Sequence, residues 1–404
     1  MTTVRPPGSG RDTEPEAHRS PARAIVSVRT LFGSDSSDYM IVLGTTVFLV
    51  LFGLVMVLSS SSIVSSQSND GDFFAIFLRQ GLYALVAIPI MLSIARLPAR
   101  FWRRWARVAV MLGLGLQLLV FIGLGYEYGG NQNWISIGGF TAQPSEFLKL
   151  ALIVWLGTVL ADRADAFTDW TSLVVPAVPV SLVAIGMVLL GQDLGTASIM
   201  IAIVLGALFY AGAPLRRLAA MAGVVAVGGV LFALSSSSRS SRIDVWLNGC
   251  RPEDYEGSCW QVVHGTWALG SGGGFGVGLG NSAAKWSWLP HAETDFIFAV
   301  IGEELGMVGA SVVLLLFVVL TIGLVRLIRS HRDPFSRIVT GGVLIWIVGQ
   351  AFVNVAVVLG LIPVLGVPLP LISVGGSALI ASLLAIGVVL SLARSAEARE
   401  ARTE

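Results

Sequence analysis

The chain has 404 residues, of which 54% are hydrophobic and 13% charged, and its formal net charge is +1. A soluble chain carries about a quarter charged residues, so a soluble globular enzyme, a disordered protein and a disulfide scaffold are excluded. The near-neutral balance offers no field to draw in nucleic acid, while a mean hydropathy of +0.79 points to the bilayer as solvent.

Residues 1–38 mix Pro, Arg, Ser and Glu without apolar periodicity, which predicts a disordered cytoplasmic tail rather than a signal peptide. A bilayer core of about 30 Å needs about 20 apolar residues in a helix. Ten runs approach that length: Tyr39–Ser59, Phe77–Ile94, Trp105–Gly125, Phe147–Ala161, Leu173–Leu190, Thr196–Ala211, Leu218–Leu234, Phe296–Val325, Ile338–Gly360 and Ser377–Leu392. The predicted fold class is therefore an all-α polytopic membrane protein of ten transmembrane helices over residues 39–392. The eighth run contains Gly302, Gly306 and Gly309, which predicts a tilt or a break.

Arginine placement sets the orientation. Arg5 to Arg29, Arg96 to Arg107, Arg216 with Arg217, and Arg326 to Arg337 all fall on one side, so both termini are expected in the cytoplasm, including a short tail over 393–404. The segment with Asp162, Arg163, Asp165 and Asp169 lies on the same side, but acidic residues count little in this rule. The largest loop, residues 235–294, lies outside between spans seven and eight, with a Ser-rich start and a Trp- and Gly-rich second half. It holds the only cysteines, Cys250 and Cys259. On an oxidising side they can pair, or remain two free thiols.

An ionisable group at the bilayer centre costs about 2.5–3.5 kcal/mol even on a lenient scale. Arg79, Glu146 with Lys149, Asp193, Asp295, and Glu303 with Glu304 all fall at or near the outer ends of their runs. Glu146 and Lys149 share a helix face at i, i+3, where a self-neutralising structural pair is as good a reading as a site. Lys149 and Lys285 are the only lysines of the chain. Glu303 and Glu304 stand about 100° apart on a helix and are not expected to enter one site together.

The run Gly270–Gly280 lacks the G-x-G-x-x-G spacing and any preceding strand, so a nucleotide loop is rejected in favour of a re-entrant or substrate-hugging turn. Residues Ile362–Ser377 are apolar but carry three Pro and three Gly. At membrane depth such a segment must be covered by protein or line a cavity. The four histidines, His18, His264, His291 and His331, are scattered, and no metal cluster or Ser-His-Asp set is readable. The residues by themselves lead to an outward-facing polar cavity in a helix bundle.

The segments Asn133–Lys149, Gln192–Thr196, Gly276–Asn281, Leu289–Gly306 and Asn354–Ser377 resemble those of the SEDS family of cell-wall polymerases, over roughly Tyr39 to Leu392. Within it the chain is similar to the cell-division branch, FtsW, rather than the elongation branch. The resemblance implies polymerisation of lipid II, the undecaprenyl-pyrophosphate-linked disaccharide-pentapeptide, at the outer face of the cytoplasmic membrane, with a location at the division septum. It implies a class B penicillin-binding protein and other divisome proteins as partners.

By the same resemblance Asp295, in the TDF motif, is the expected catalytic acid/base group. Trp134, Ser145, Glu146, Lys149 and Arg79 match the family's substrate-side positions, and Asp193, Lys285, Glu303 and Ser373 complete the expected substrate-binding set. Val374 stands where the family often has Tyr, and His264 where a Gln is common. An inverting transfer needs one general base and positive charge at the departing pyrophosphate. A divalent cation, Mg or Mn, is a candidate cofactor there, with no dedicated protein cage readable. A lipid II flippase and a non-catalytic divisome scaffold are the alternatives, the first because broken helices and intramembrane charges also suit transporters.

Overall fold

A computed structural model describes residues 36–128, 131–137, 140–163, 170–251, 255, 257 and 259–400. Most of the expected N-terminal tail, Asp165, Asp169 and residues 401–404 lie outside them. Each of the ten apolar runs falls on a helix: α1 (Ser37–Ser68), α2 (Ala75–Ile94), α3 (Ala99–Leu119), α4 (Pro144–Ala161), α5 (Trp170–Leu190), α6 (Leu194–Tyr210) and α7 (Leu215–Leu234), then α10 (Ile297–Ser330), α11 (Pro334–Val358) and α12 (Gly376–Glu400). Seven of them, α1, α2, α4, α7, α10, α11 and α12, are long and apolar enough to cross a bilayer. α6 and the apolar part of α5 are shorter, and α3 carries Arg100, Arg103, Arg104 and Arg107 in its first half.

The described chain is not all-α. Between α3 and α4 a three-stranded antiparallel sheet forms from β1 (Gly125–Tyr128), β2 (Asn131–Ile137) and β3 (Phe140–Ala142), in the order β1-β2-β3. Tyr126 pairs with Trp134, and Ile137 with Phe140. The outer loop is also more ordered than its composition suggests. It holds α8 (Ser237–Asn248), α9 (Trp260–Gly272) and a π-helical turn, Ala284–Trp288. Cys250 and Cys259 are joined in a disulfide, with Cα atoms 5.6 Å apart. At the far end α12 continues through Glu400, into the residues expected as a tail.

α4 and α12 form the centre of the bundle. α12 packs on α2, α4, α1 and α11, and Leu383, Ile386, Val388, Val389 and Leu390 are fully buried along it. α7 is the opposite case, since only Leu218 and Ala233 are buried on it although it is apolar from Leu218 onward. A helix with such a surface needs lipid as its solvent.

α10 breaks at Gly306, whose backbone (φ 67°, ψ −166°) leaves the helical region. The Gly-rich run docks on that break: Val277 N–H donates to Glu303 O (2.9 Å), Gly278 N–H to Glu304 O (3.0 Å), and Met307 N–H to Gly273 O (2.9 Å). The run therefore hugs a broken helix and lies outside the lining of the cleft described below, because the break frees backbone groups that must find partners inside the bundle.

Candidate active site

A cleft of about 500 Å³ opens at one end of the bundle. α2, α4, α6, α10 and α12 all begin there, and β2, α8 and residues 364–368 and 374–376 close its walls. The helix ends carrying Arg96, Arg100, Arg216, Arg217, Arg326 and Arg329 are the opposite ends. The Pro- and Gly-rich segment before α12 thus lines a cavity, as its composition requires. At Gly366 the backbone is left-handed (φ 68°), and a Cβ there would stand 3.6 Å from Asp295 Oδ2. Three non-glycine residues beside the cleft, Gln192 (φ 66°), His291 (φ 59°) and Leu371 (φ 68°), also take this costly conformation. Backbone strain of this kind gathers at functional sites.

Of the residues expected from sequence, Asp295, Arg79, Trp134, Glu146 and Asp193 are brought together in the cleft wall. Asp295 precedes the first turn of α10. Burial pushes its carboxyl up to about 6; His291 and Arg242 pull it down, and Asp193 and Glu293 push it further up. Arg79 reaches the cleft from the first turns of α2. Trp134 is presented to the cleft by the middle of β2.

Asp193 is committed to a structural task. It caps α6, accepting Thr196 N–H at 2.8 Å and Thr196 Oγ1–H at 2.7 Å, and it also accepts Gln143 Nε2–H at 3.0 Å. Glu146 forms part of the cleft floor, and Lys149 lies beneath it, 1% exposed. Lys149 Nζ is 2.9 Å from Glu146 Oε1, donates to Gln350 Oε1 at 3.1 Å and stands 4.7 Å from the centre of the Trp346 ring. Its charge is consumed there, so Lys149 supports Glu146 and does not face the cleft. Ser145 is fully buried and outside the cleft lining. Ser373 spends its hydroxyl on the backbone, donating to Thr294 O at 2.6 Å and accepting Leu369 N–H at 2.9 Å.

Lys285 and Glu303 are not in the cleft. They join Glu304, Ser59 and Ser282 in a second buried cluster. Glu303 accepts the N–H groups of Ala283 (2.9 Å) and Ala284 (3.3 Å) and the Ser282 hydroxyl, and so caps the π-helical turn. Glu304 accepts Ser59 Oγ–H at 2.6 Å and lies 3.7 Å from Lys285 Nζ. Helical spacing alone predicts that the two glutamates diverge. They converge on one turn because residues 282–285 wrap across the helix and offer donors to both.

Two arginines of the cleft escaped the sequence reading, Arg239 and Arg242 on α8. They were hidden in a Ser-rich stretch read as polar loop, although their i, i+3 spacing on a helix was the available signal. Arg239 donates to Gln192 Oε1, stacks 4.3 Å from the Phe232 ring centre, and keeps a second buried terminal nitrogen without a partner. Burial lowers Arg242 from its ordinary range, an effect that Asp295 opposes. The cleft thus sets one raised carboxyl among three arginines, an arrangement suited to taking a proton beside a strongly anionic group. Among the described residues no three His, Cys, Asp or Glu side chains stand together to hold a metal ion. The donor set does not fit a divalent cation held by protein alone.

The comparisons with known proteins identify the family and the fold. The family model described as cell cycle protein, FtsW/RodA/SpoVE, matches residues 39–398. The probable peptidoglycan glycosyltransferase FtsW of Mycobacterium tuberculosis is 38% identical over 394 residues, 96% of this chain and 74% of that one. Stage V sporulation protein E of Bacillus subtilis is 36% identical over 360 residues, 89% and 97% of the two chains. Among solved structures, a chain from a peptidoglycan synthase complex that coordinates polymerization and crosslinking aligns with a TM-score of 0.73 and 26% identity, over 88% of this chain and 97% of that one. The rod shape determining protein RodA of Thermus thermophilus aligns with a TM-score of 0.65 and 27% identity, over 88% and 96%. The chain belongs to the FtsW/RodA/SpoVE family of cell cycle proteins, the SEDS family whose motifs it carries.

Proposed function

We propose that the chain is a peptidoglycan glycosyltransferase of cell division that polymerises lipid II at the outer face of the cytoplasmic membrane. The observation that carries this reading is the cleft itself, where Asp295, with Arg242 acting on its carboxyl, shares the lining with Arg79 and Arg239 at one end of a lipid-facing bundle. Asp295 takes the proton of the acceptor sugar's 4-hydroxyl as that oxygen bonds to the donor's anomeric carbon. The bond from that carbon to the diphosphate oxygen breaks with inversion, and the lipid diphosphate leaves toward the arginines. One base and no covalent nucleophile suffice. Trp134 offers a flat apolar face to a sugar ring, and Glu146, held by Lys149, shapes the floor.

Ten spans with both termini in the cytoplasm are supported by the alternation of helix ends between the cleft and the arginine-rich side. A divalent cation, if bound at the pyrophosphate, would add positive charge beside the arginines, and no step is routed through it. The likeness to a chain of a synthase complex supports a class B penicillin-binding protein as partner. The purified chain, alone and with such a partner, is incubated with labelled lipid II in detergent. Glycan polymer is the expected product. Lipid II left intact under both conditions contradicts the reading and favours a flippase or a scaffold, since detergent has no two sides to flip between.

A further inference from the structure

All three backbone carbonyls of the segment Glu293–Asp295 are held by groups from the last third of the chain. Glu293 O accepts Val374 N–H at 3.0 Å, Thr294 O accepts the Ser373 hydroxyl at 2.6 Å, and Asp295 O accepts Asn354 Nδ2–H at 2.7 Å. The Asn354 amide donates a second time, to Val367 O at 2.8 Å, and is 1% exposed. Its oxygen is buried without a partner. That oddity fixes its orientation, because a flipped amide would set its oxygen against two carbonyl oxygens.

Asn354 lies four residues beyond Gln350, so both share one face of α11, just after the π-helical turn Ile345–Gly349. Such a turn adds a residue and rotates the helix beyond it, and it recurs at functional sites. Gln350 ties Lys149 to Pro368 O (3.1 and 2.9 Å) from the same face. Asn354 itself is outside the cleft lining.

We infer that Asn354 is a positioning residue for the transfer: through the two donors of one buried amide it sets the spacing between the backbone of Asp295 and the cleft segment at Val367. The inference rests on the proposed reading of Asp295 as the base. The groups facing that carboxyl are His291 and Glu293 of its own segment, Asp193 at the head of α6 and Arg242 of α8. Asn354→Leu fills a similar space and removes both donors together with the unpartnered oxygen. With the carbonyl released, Asp295 loosens toward water and its carboxyl falls toward the ordinary carboxylate range, near 4.

The test is steady-state polymerisation of lipid II by the full chain with its partner, across pH, at equal protein level. For Asn354→Leu, kcat is expected to fall about 10- to 100-fold, the usual result of misplacing a reacting group by about 1 Å. KM is expected within about threefold, since the arginines are untouched. The acidic limb of the rate profile is expected to move below its wild-type position. A raised KM at unchanged kcat overturns the inference, and so does a lower kcat with the limb unmoved, which marks a merely structural residue. If Asn354→Leu fails to accumulate, Ser373→Ala releases the neighbouring carbonyl and should move the limb in the same direction; no movement overturns the inference. Asp295→Asn measured beside them separates the two claims. An active Asp295→Asn variant removes the base reading and the inference with it, whereas a dead one beside an unaltered Asn354→Leu removes the inference alone.

Discussion

Asp295, lifted to about 6 chiefly by burial, is ionised at neutral pH and yet basic enough to share a proton with a sugar hydroxyl as it attacks. Since only the ionised form accepts that proton, the polymerisation rate is expected to rise through an acidic limb near pH 6 and level off above it. A pH–rate profile checks this; a limb at the ordinary aspartate position near 4 contradicts the buried geometry. Sequence made this residue legible, because a charged group at the mouth of an apolar run demands a reason. It could not tell Lys149 from Arg242. In sequence Lys149 stands at the outer end of an apolar run and Arg242 in a polar loop, and only packing shows that Lys149 is spent on Glu146 and Gln350 while Arg242 lines the cleft. Breaking the buried Glu146–Lys149 pair by Lys149→Met leaves a carboxylate without its cation, which typically costs about 3–5 kcal/mol. Lower abundance and a lower melting temperature in detergent are expected, with activity falling through instability.

Single positions in α10 and at its exit govern whole elements. At Gly306 a Cβ would stand 2.3 Å from Gly276 N and 2.6 Å from Gly274 O, on a backbone with φ 67°. Gly306→Ala therefore pushes the Gly-rich run off the helix break, and poor accumulation or a marked drop in thermal stability is expected; a stable variant contradicts the docking. The sequence pointed to a break among three glycines but not to its consequence, because nothing local says which distant backbone will fill the gap.

His331, just past the far end of α10, is buried with neither ring nitrogen hydrogen-bonded, and burial holds it down at about 4 against the pull of Asp333. Its neutral form stabilises the fold above the unfolded value near 6.5, and that contribution is lost as pH falls toward 4. His331→Phe should flatten the loss of thermal stability between pH 7 and pH 5. An unchanged slope contradicts this assignment. The small sheet was the element that composition concealed. Its strands are three to seven residues long and follow an apolar run, although the pairs Gly129–Gly130 and Gly138–Gly139 are the hairpin signature that could have betrayed it.

For the molecule as a whole, each of the ten apolar runs falls on a helix and arginine placement separated the two ends of the bundle, since apolar surroundings leave the backbone little choice but the helix. What hydropathy could not convey was how the outer segments fold over the cleft. α8, α9 and the segment before α12 owe their places to contacts far apart in sequence, such as Arg239 with Gln192, Gly273 with Met307 and Val374 with Glu293. The cleft lies at one end of the bundle, while helices such as α7 keep most of their surface open to lipid.

The central claim is that Asp295 is the base of a transfer carried out in this cleft. Asp295→Asn keeps shape and hydrogen bonding, and it removes a buried carboxylate whose ionisation disfavours the fold as pH rises through about 6. The variant should therefore insert and accumulate at least as well as wild type and bind its partner. Removing a general base costs about 10²–10⁴-fold. In lipid II polymerisation by purified protein at equal level, the expected result is at most about one per cent of wild-type product. Polymer within about threefold of wild type would contradict it, because no rate so close survives the loss of the base.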